Sequence, residues 1–286
     1  MDRTSEINQK LRDSGISDRE IGEIADMILG TNRRRPFLGE IIHWMVDADK
    51  LDYLPRDSHC TGFLPSLVQS MQIVGSMELL EEHVVFERRA IPYLESMVFA
   101  ETIYYNNIHY HPEVRRADQT LSRAIKIAIE EDRITPVEAQ KMTDNQIIRF
   151  LKKVGGKASA LISRIRGKPL NTILVINWND LNQENINRVL EMRGDSRQKG
   201  ELERAIAQRV KGDPDLTIVD IPPPPRIQEA DAPILDGGET IPLKSASTIA
   251  RALSENHPSL WSLRVYSERK IEENTKSFRE FFLTLI

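Results

Sequence analysis

DADKLDYLPRD, Asp47 to Asp57, gathers the residue types that handle a phosphorylated ligand. A carboxylate that can ligate a divalent ion, a lysine that can offset phosphate charge, a tyrosine hydroxyl and a second carboxylate for sugar hydroxyls all fall in this run. On a helix, Asp49, Lys50, Asp52, Tyr53, Arg56 and Asp57 share one broad face, while Leu51 and Leu54 turn to the other. Pro55 removes one helical hydrogen bond and is expected to kink the segment. From spacing alone, a solvated helix with charge pairs three and four residues apart is the simpler account.

Other groups of this kind are scattered. His109 and His111 lie two apart and His43 lies six before Asp49, and neither spacing is that of a metal-ligand pair. Structural or solvent-facing roles are expected for the histidines, with His59 and His111 kept as candidates for phosphate contact or proton transfer. Gly155 and Gly156 lack the following Lys-Ser/Thr pair of a phosphate-cradling loop and read as a helix-ending turn. Arg33 to Arg35 and Arg164 to Lys168 are short basic runs, a type that is usually just solvated.

Helices dominate the first two thirds of the chain. Ser17 and Glu20 form a capping-box pattern ahead of Ile21, Ile24 and Ile28, and Gly30 closes that helix. Pro36 opens a second periodic stretch through Phe37, Leu38, Ile41, Ile42, Met45 and Val46. Val84, Val85 and Phe86 predict a small hairpin, with Gly75 and Ser76 as its turn residues. From about Pro92 to Glu131 the spacing is helical again, divided at Pro112, and Thr135/Glu138 and Thr143/Gln146 mark two further starts.

After Arg166 the pattern changes to β-prone runs, ILVINW, LTIVDIP and SLWSLRVYS, around a helical stretch near Asn182 to Val210. Pro222 to Pro225 predicts an extended segment and DGGE at 236 to 239 a turn between strands. Trp178, Trp261 and Tyr266 are expected in the core of this region. Phe278, Phe281, Phe282 and Leu285 form an amphipathic stripe that should dock on its own domain.

Composition excludes several classes. The 286 residues are 40% hydrophobic and 29% charged, enough for a sizeable core, and the net charge of -4 lacks the footprint of a dedicated nucleic-acid binder. Cys60 is the single cysteine, so one chain can form no disulfide and no cysteine-based zinc site. No apolar run is long enough for a membrane span and the polar N-terminus is unlike a signal peptide, so a cytoplasmic protein is expected.

The run Asp47–Asp57, followed by Ser58, His59 and Gly62, resembles the DxDxxDYxxRD signature of deoxynucleotide triphosphohydrolases and related HD-superfamily phosphohydrolases. HVVFERRAIPYLESM and IHYHPEVRRADQTLSRAI are similar to the hairpin, long helix and YxHxxVR-like turn that come next in that family. The resemblance extends over roughly residues 17 to 130. It implies Asp49 as the last metal ligand of an H…HD…D set, Lys50 facing phosphate, Tyr53 beside or bonded to the nucleotide, and Asp57 at the sugar. Asp52 and Arg56 would support them as an ion pair, and the cofactor would be a divalent metal ion (Mn, Mg, Fe or Co).

The sequence departs from that pattern in two further ways. It holds no His-Asp dipeptide, as if it started just where a family member leaves its HD motif, which a truncated start or a natural partial protein would each explain. Glu101 and Pro112 stand where the family often has phosphate-facing Arg and Lys. The expected fold is mainly α: an HD-domain-like helical bundle with a small β-hairpin over 1–167, then a smaller α+β domain over 168–286. The expected function is metal-dependent hydrolysis of a nucleotide or other phosphate ester, impaired in this chain. The alternative is a catalytically inactive nucleotide-binding or regulatory subunit. A homo-oligomer or a complete homologue is the expected protein partner, with neither membrane nor nucleic acid.

Overall fold

The computed structural model describes residues 6–62 and 68–286 and is mainly α-helical. In chain order the first elements are α1 Glu6–Asp13, α2 Asp18–Ile28, α3 Pro36–Ile42, α4 Ala48–Thr61, α5 Ser70–Val74, β1 Met77–Leu80, β2 His83–Glu87, α6 Ile91–Tyr104 and α7 Pro112–Glu130. Next come α8 Pro136–Gln140, α9 Asp144–Val154, α10 Gly156–Arg166, β3 Asn171–Asn177, α11 Gln183–Gly194 and α12 Ser196–Arg209. The last are β4 Ile218–Asp220, β5 Pro233–Asp236, β6 Glu239–Pro242, α13 Leu243–Ala246, α14 Thr248–Asn256, β7 Ser262–Ser267 and α15 Thr275–Leu285.

Local chemistry sets these boundaries. Ser17/Glu20, Thr135/Glu138 and Thr143/Gln146 each form the capping box that their spacing predicts. Pro36 and Pro112 stand at the first turn of α3 and α7, where a missing N–H costs nothing. The hairpin forms, but its turn is Glu81-Glu82, with φ of 50° and 64°, and not the predicted Gly75-Ser76. Gly75 and Ser76 instead follow α5, because MQIV is helical.

A two-residue turn with both φ positive is the one whose twist matches a hairpin, and glycine adopts it without strain. Glu82→Gly is therefore expected to stabilise the protein by about 0.5–1 kcal/mol in urea unfolding. A loss of stability would mean that the Glu82 side chain makes a contribution larger than its backbone strain.

The chain forms two compact units, one of residues 1–104 and 226–257, the other of residues 105–225 and 258–286. The boundary expected at 167/168 falls inside the second unit, between α10 and β3. In the first unit the small hairpin grows into a four-stranded sheet of order β1-β2-β5-β6. DGGE does make the predicted turn, but its β5–β6 hairpin adds to β2 in parallel, Phe86 opposite Ile234 and Glu87 opposite Leu235. Phe86, Leu94, Met97, Ile234 and Leu243 share one core there.

The second unit is α+β. Strands β3, β7 and β4 form an antiparallel sheet of order β3-β7-β4, the three runs predicted from sequence. One face carries Leu263, Val265 and Val219 into a core with Trp261 and, from α15, Phe278 and Phe282. The C-terminal helix thus docks within its own unit, as its stripe predicts. On the other face Arg115 of α7 forms a two-pronged ion pair with Asp220, which is fully buried. Gly155 and Gly156, with φ of 81° and 59°, make the expected turn between α9 and α10. No described helix is long and apolar enough to cross a membrane.

Candidate functional site

The signature run begins the helix α4. Asp47 caps it, one carboxylate oxygen accepting from the Lys50 N–H at 2.9 Å and the other from the Trp44 N–H at 3.0 Å. Gly62 ends it in the left-handed region, φ 70°. Pro55 does not break it. The proline leaves the Leu51 carbonyl without its helical donor, and the Ser70 hydroxyl donates to that oxygen at 2.7 Å.

Packing divides the polar face predicted for this run. Leu51 and Leu54 are buried, Lys50, Tyr53 and Asp57, spaced i, i+3, i+7, are half-buried, and Asp49, Asp52, Arg56 and His59 are exposed. The single broad face was a correct count of polar residues and a wrong picture of where they go.

Lys50 has three N–H donors and all three are engaged. Its Nζ donates to the Trp44 and Met45 carbonyls at 2.9 and 3.0 Å and pairs with Glu229 Oε1 at 2.7 Å. Glu229, only 4% exposed, comes from the segment just before β5. Tyr53 donates its hydroxyl to Glu101 Oε1 at 3.0 Å, and Tyr104 donates to Asp57 Oδ2 at 3.2 Å. The two tyrosine rings pack 5.6 Å apart.

Glu101, 2% exposed on α6, sits beside Glu229. Burial, with the Glu229 charge second, pushes its carboxyl pKa up to about 7, against the Tyr53 hydrogen bond and the Lys50 charge. Glu101, expected from the resemblance at a phosphate-facing position, turns inward and holds a tyrosine. Burial, then the hydrogen bond to Asp57, raises the Tyr104 hydroxyl above the ordinary tyrosine range.

Outside this network, Arg56 pairs with Asp52, and its Nε lies 3.7 Å from Asp57 Oδ1. Asp49 makes no hydrogen bond or ion pair among the described residues. His59 is exposed on the last turn of α4. His111 belongs to the second unit, where it stands just before α7 without a side-chain capping bond, and its buried Nδ1 has no partner among the described residues.

The described residues contain no group of three or more His, Cys, Asp or Glu able to hold a metal ion. A lone exposed carboxylate does not retain a divalent ion, so these residues do not by themselves fit the metal centre that the signature implies. Sequence reading missed Glu229 and Tyr104 as members of the network. Asp47 carried a signal, since Asp before a helical run is a common cap, whereas Glu229 carried none.

Comparison with known proteins agrees with this architecture. Residues 68–285 match the model of a family described as the HD associated region, a stretch that starts after α4. An uncharacterized protein of Methanocaldococcus jannaschii is 27% identical over 258 residues, 88% of this chain and 55% of that protein. An uncharacterized protein of Bacillus subtilis is 26% identical over 121 residues, 42% of this chain and 27% of its own. The chain thus spans about half or less of the length of these relatives.

Among solved structures, a hypothetical protein from Aquifex aeolicus shares the fold with a TM-score of 0.69 at 17% identity, covering 99% of this chain and 69% of that one. A phosphohydrolase from Bacteroides thetaiotaomicron shares it with a TM-score of 0.59 at 18% identity, covering 91% and 70%.

Proposed function

The chain belongs to the HD-associated-region family, and from that membership we propose that it forms the substrate side of a phosphohydrolase acting on nucleotides or other phosphate esters. The observation that carries this reading is the organisation of α4. Its signature residues are held by dedicated partners, Lys50 by Glu229, Tyr53 by Glu101 and Asp57 by Tyr104, while Asp49 is left unengaged among the described residues. Side chains locked by second partners are what a preorganised site requires.

In this reading Asp57 accepts from a sugar hydroxyl with the oxygen that Tyr104 does not use. The Tyr53 ring offers a face to the ligand while Glu101 fixes its hydroxyl. Asp49 offers its carboxylate to a divalent ion only together with donors beyond the described residues. Phosphate-ester hydrolysis at such a centre is attack of water on phosphorus, with cationic groups balancing the charge that develops on the phosphoryl oxygens.

One observation favours a second reading, a catalytically silent nucleotide-binding or regulatory subunit. All three Lys50 donors are engaged within the protein, so contact with phosphate requires Lys50 to leave one of them. The test measures metal content, nucleotide binding and phosphate release with a nucleotide panel and added Mn²⁺, Mg²⁺, Fe²⁺ or Co²⁺, beside Asp49→Ala and Asp57→Asn. Nucleotide affinity about tenfold weaker in Asp57→Asn is the expected outcome, and turnover that Asp49→Ala abolishes would mean that donors beyond the described residues complete the metal centre. Nucleotide binding without metal or turnover selects the regulatory reading. Absence of both binding and turnover overturns the proposal.

A further inference from the structure

The second unit contains a small polar cavity that the signature residues do not share. It lies between α7 and α12, holds about 130 Å³, and is lined by Gln119, Ser122, Arg123, Lys126, Ser196, Lys199 and Glu203, with Ile218 as the apolar wall. The α7 residues follow a helical stripe, i, i+3, i+4, i+7, and so do Ser196, Lys199 and Glu203 on α12. Two helix faces thus bring three cations, two hydroxyls and an amide around one space.

The charges there do not balance. Glu203 is 3% exposed and both its oxygens are engaged, one by Arg123 Nη2 and the other by the Val219 N–H at 3.0 Å. Its charge therefore answers Arg123. Asp220, a second buried carboxylate whose charge acts on Lys199, is held by Arg115. Among the described residues Lys126 pairs only with Glu130, at 3.7 Å on the solvent side. Lys199 is half-buried, and its ammonium makes no hydrogen bond or ion pair among the described residues.

A partly desolvated ammonium with no counter-ion is unfavourable, and the two neighbouring cations add to its cost. Burial holds the Lys199 pKa below the ordinary lysine range; Glu203 and Asp220 oppose this, and Arg123 and Lys126 reinforce it. An anion in the cavity would supply the missing counter-charge and offset the burial and the repulsion among the three cations. The cavity is small, about 130 Å³, which suits a compact tetrahedral oxyanion and not an extended ligand.

We propose that the α7–α12 cavity is a binding site for a phosphate-sized oxyanion, either free phosphate or the phosphoryl end of a monoester, with Lys199, Lys126 and Arg123 as its cationic walls. Ser122, Ser196 and Gln119 supply hydroxyl and amide donors, the mixture of charged and neutral donors that phosphoryl oxygens accept from. The site does not depend on hydrolysis in the first unit and is tested without it.

Calorimetric titration of the full chain with inorganic phosphate, at ionic strength held constant with sodium chloride, is expected to show one saturable site. Lys199→Met and Lys126→Glu should each weaken it at least about tenfold, while Lys141→Glu, an exposed control, leaves it unchanged. Phosphate should raise the unfolding midpoint of the unaltered protein and not that of Lys199→Met. Glycerol phosphate binding more tightly than phosphate assigns the cavity to a monoester, and the reverse assigns it to the free anion. No saturable binding below about 10 mM, or binding that both substitutions leave intact, overturns the site.

Discussion

Replacing Lys50 with methionine is expected to lower the unfolding free energy by about 3–5 kcal/mol, because it strands the Glu229 carboxylate in a buried position without its cation. The pair is close, 2.7 Å, and its side chains are 19% and 5% exposed, so solvent screens it little. Two backbone carbonyls lose their donor at the same time. The double substitution Lys50→Met/Glu229→Gln should recover much of the loss, since a neutral pair carries no uncompensated charge.

Urea unfolding of the four proteins in that cycle decides the question. A loss below about 1 kcal/mol for Lys50→Met, combined with weaker nucleotide binding, would mean that Lys50 answers to a ligand and not to Glu229. The same result would favour the hydrolase reading, in which the lysine faces phosphate.

Glu101→Gln should act in the opposite direction and only over part of the pH range. The Glu101 pKa is about 7 in the folded protein against an ordinary 4.5. Between those values the folded state holds a proton that the unfolded state has released, so stability falls as pH rises from about 4.5 to about 7 and stays lower above it. Glutamine keeps an acceptor for the Tyr53 hydroxyl and removes the charge. It is expected to stabilise the protein by up to about 3 kcal/mol at pH 8 and to add little at pH 4. Unfolding midpoints across pH 4–8 check this. Parallel profiles for the two proteins would mean that Glu101 ionises as freely in the folded state as in the unfolded one.

These two substitutions also bear on function. The Lys50–Glu229 pair and the Tyr53–Glu101 hydrogen bond fix two signature side chains from the inner side of α4. Disturbing either one loosens the geometry of the proposed site without touching Asp49. Stability and binding therefore need to be measured on the same variants, so that a folding defect is not read as a lost ligand contact.

The sequence by itself determined much of this protein. Helix starts at Ser17, Pro36, Pro112, Thr135 and Thr143, the stop at Gly30, the three β-prone runs of the second unit and the C-terminal stripe follow from interactions spanning a few residues. At Asp47–Asp57 the spacing alone fitted a solvated helix, and it was the resemblance to a phosphohydrolase signature that pointed to phosphate chemistry. Spacing could not say which side of α4 is buried, because that depends on what packs against the helix and not on the order of its residues. Glu229 meets Lys50, and β5 joins β2, only after the intervening second unit has left the chain and returned it. Contacts of that sequence separation leave no periodicity to read, and tertiary burial alone decided that Lys50 would pair with Glu229 and Glu101 with Tyr53 inside the fold while Asp49 stayed in solvent.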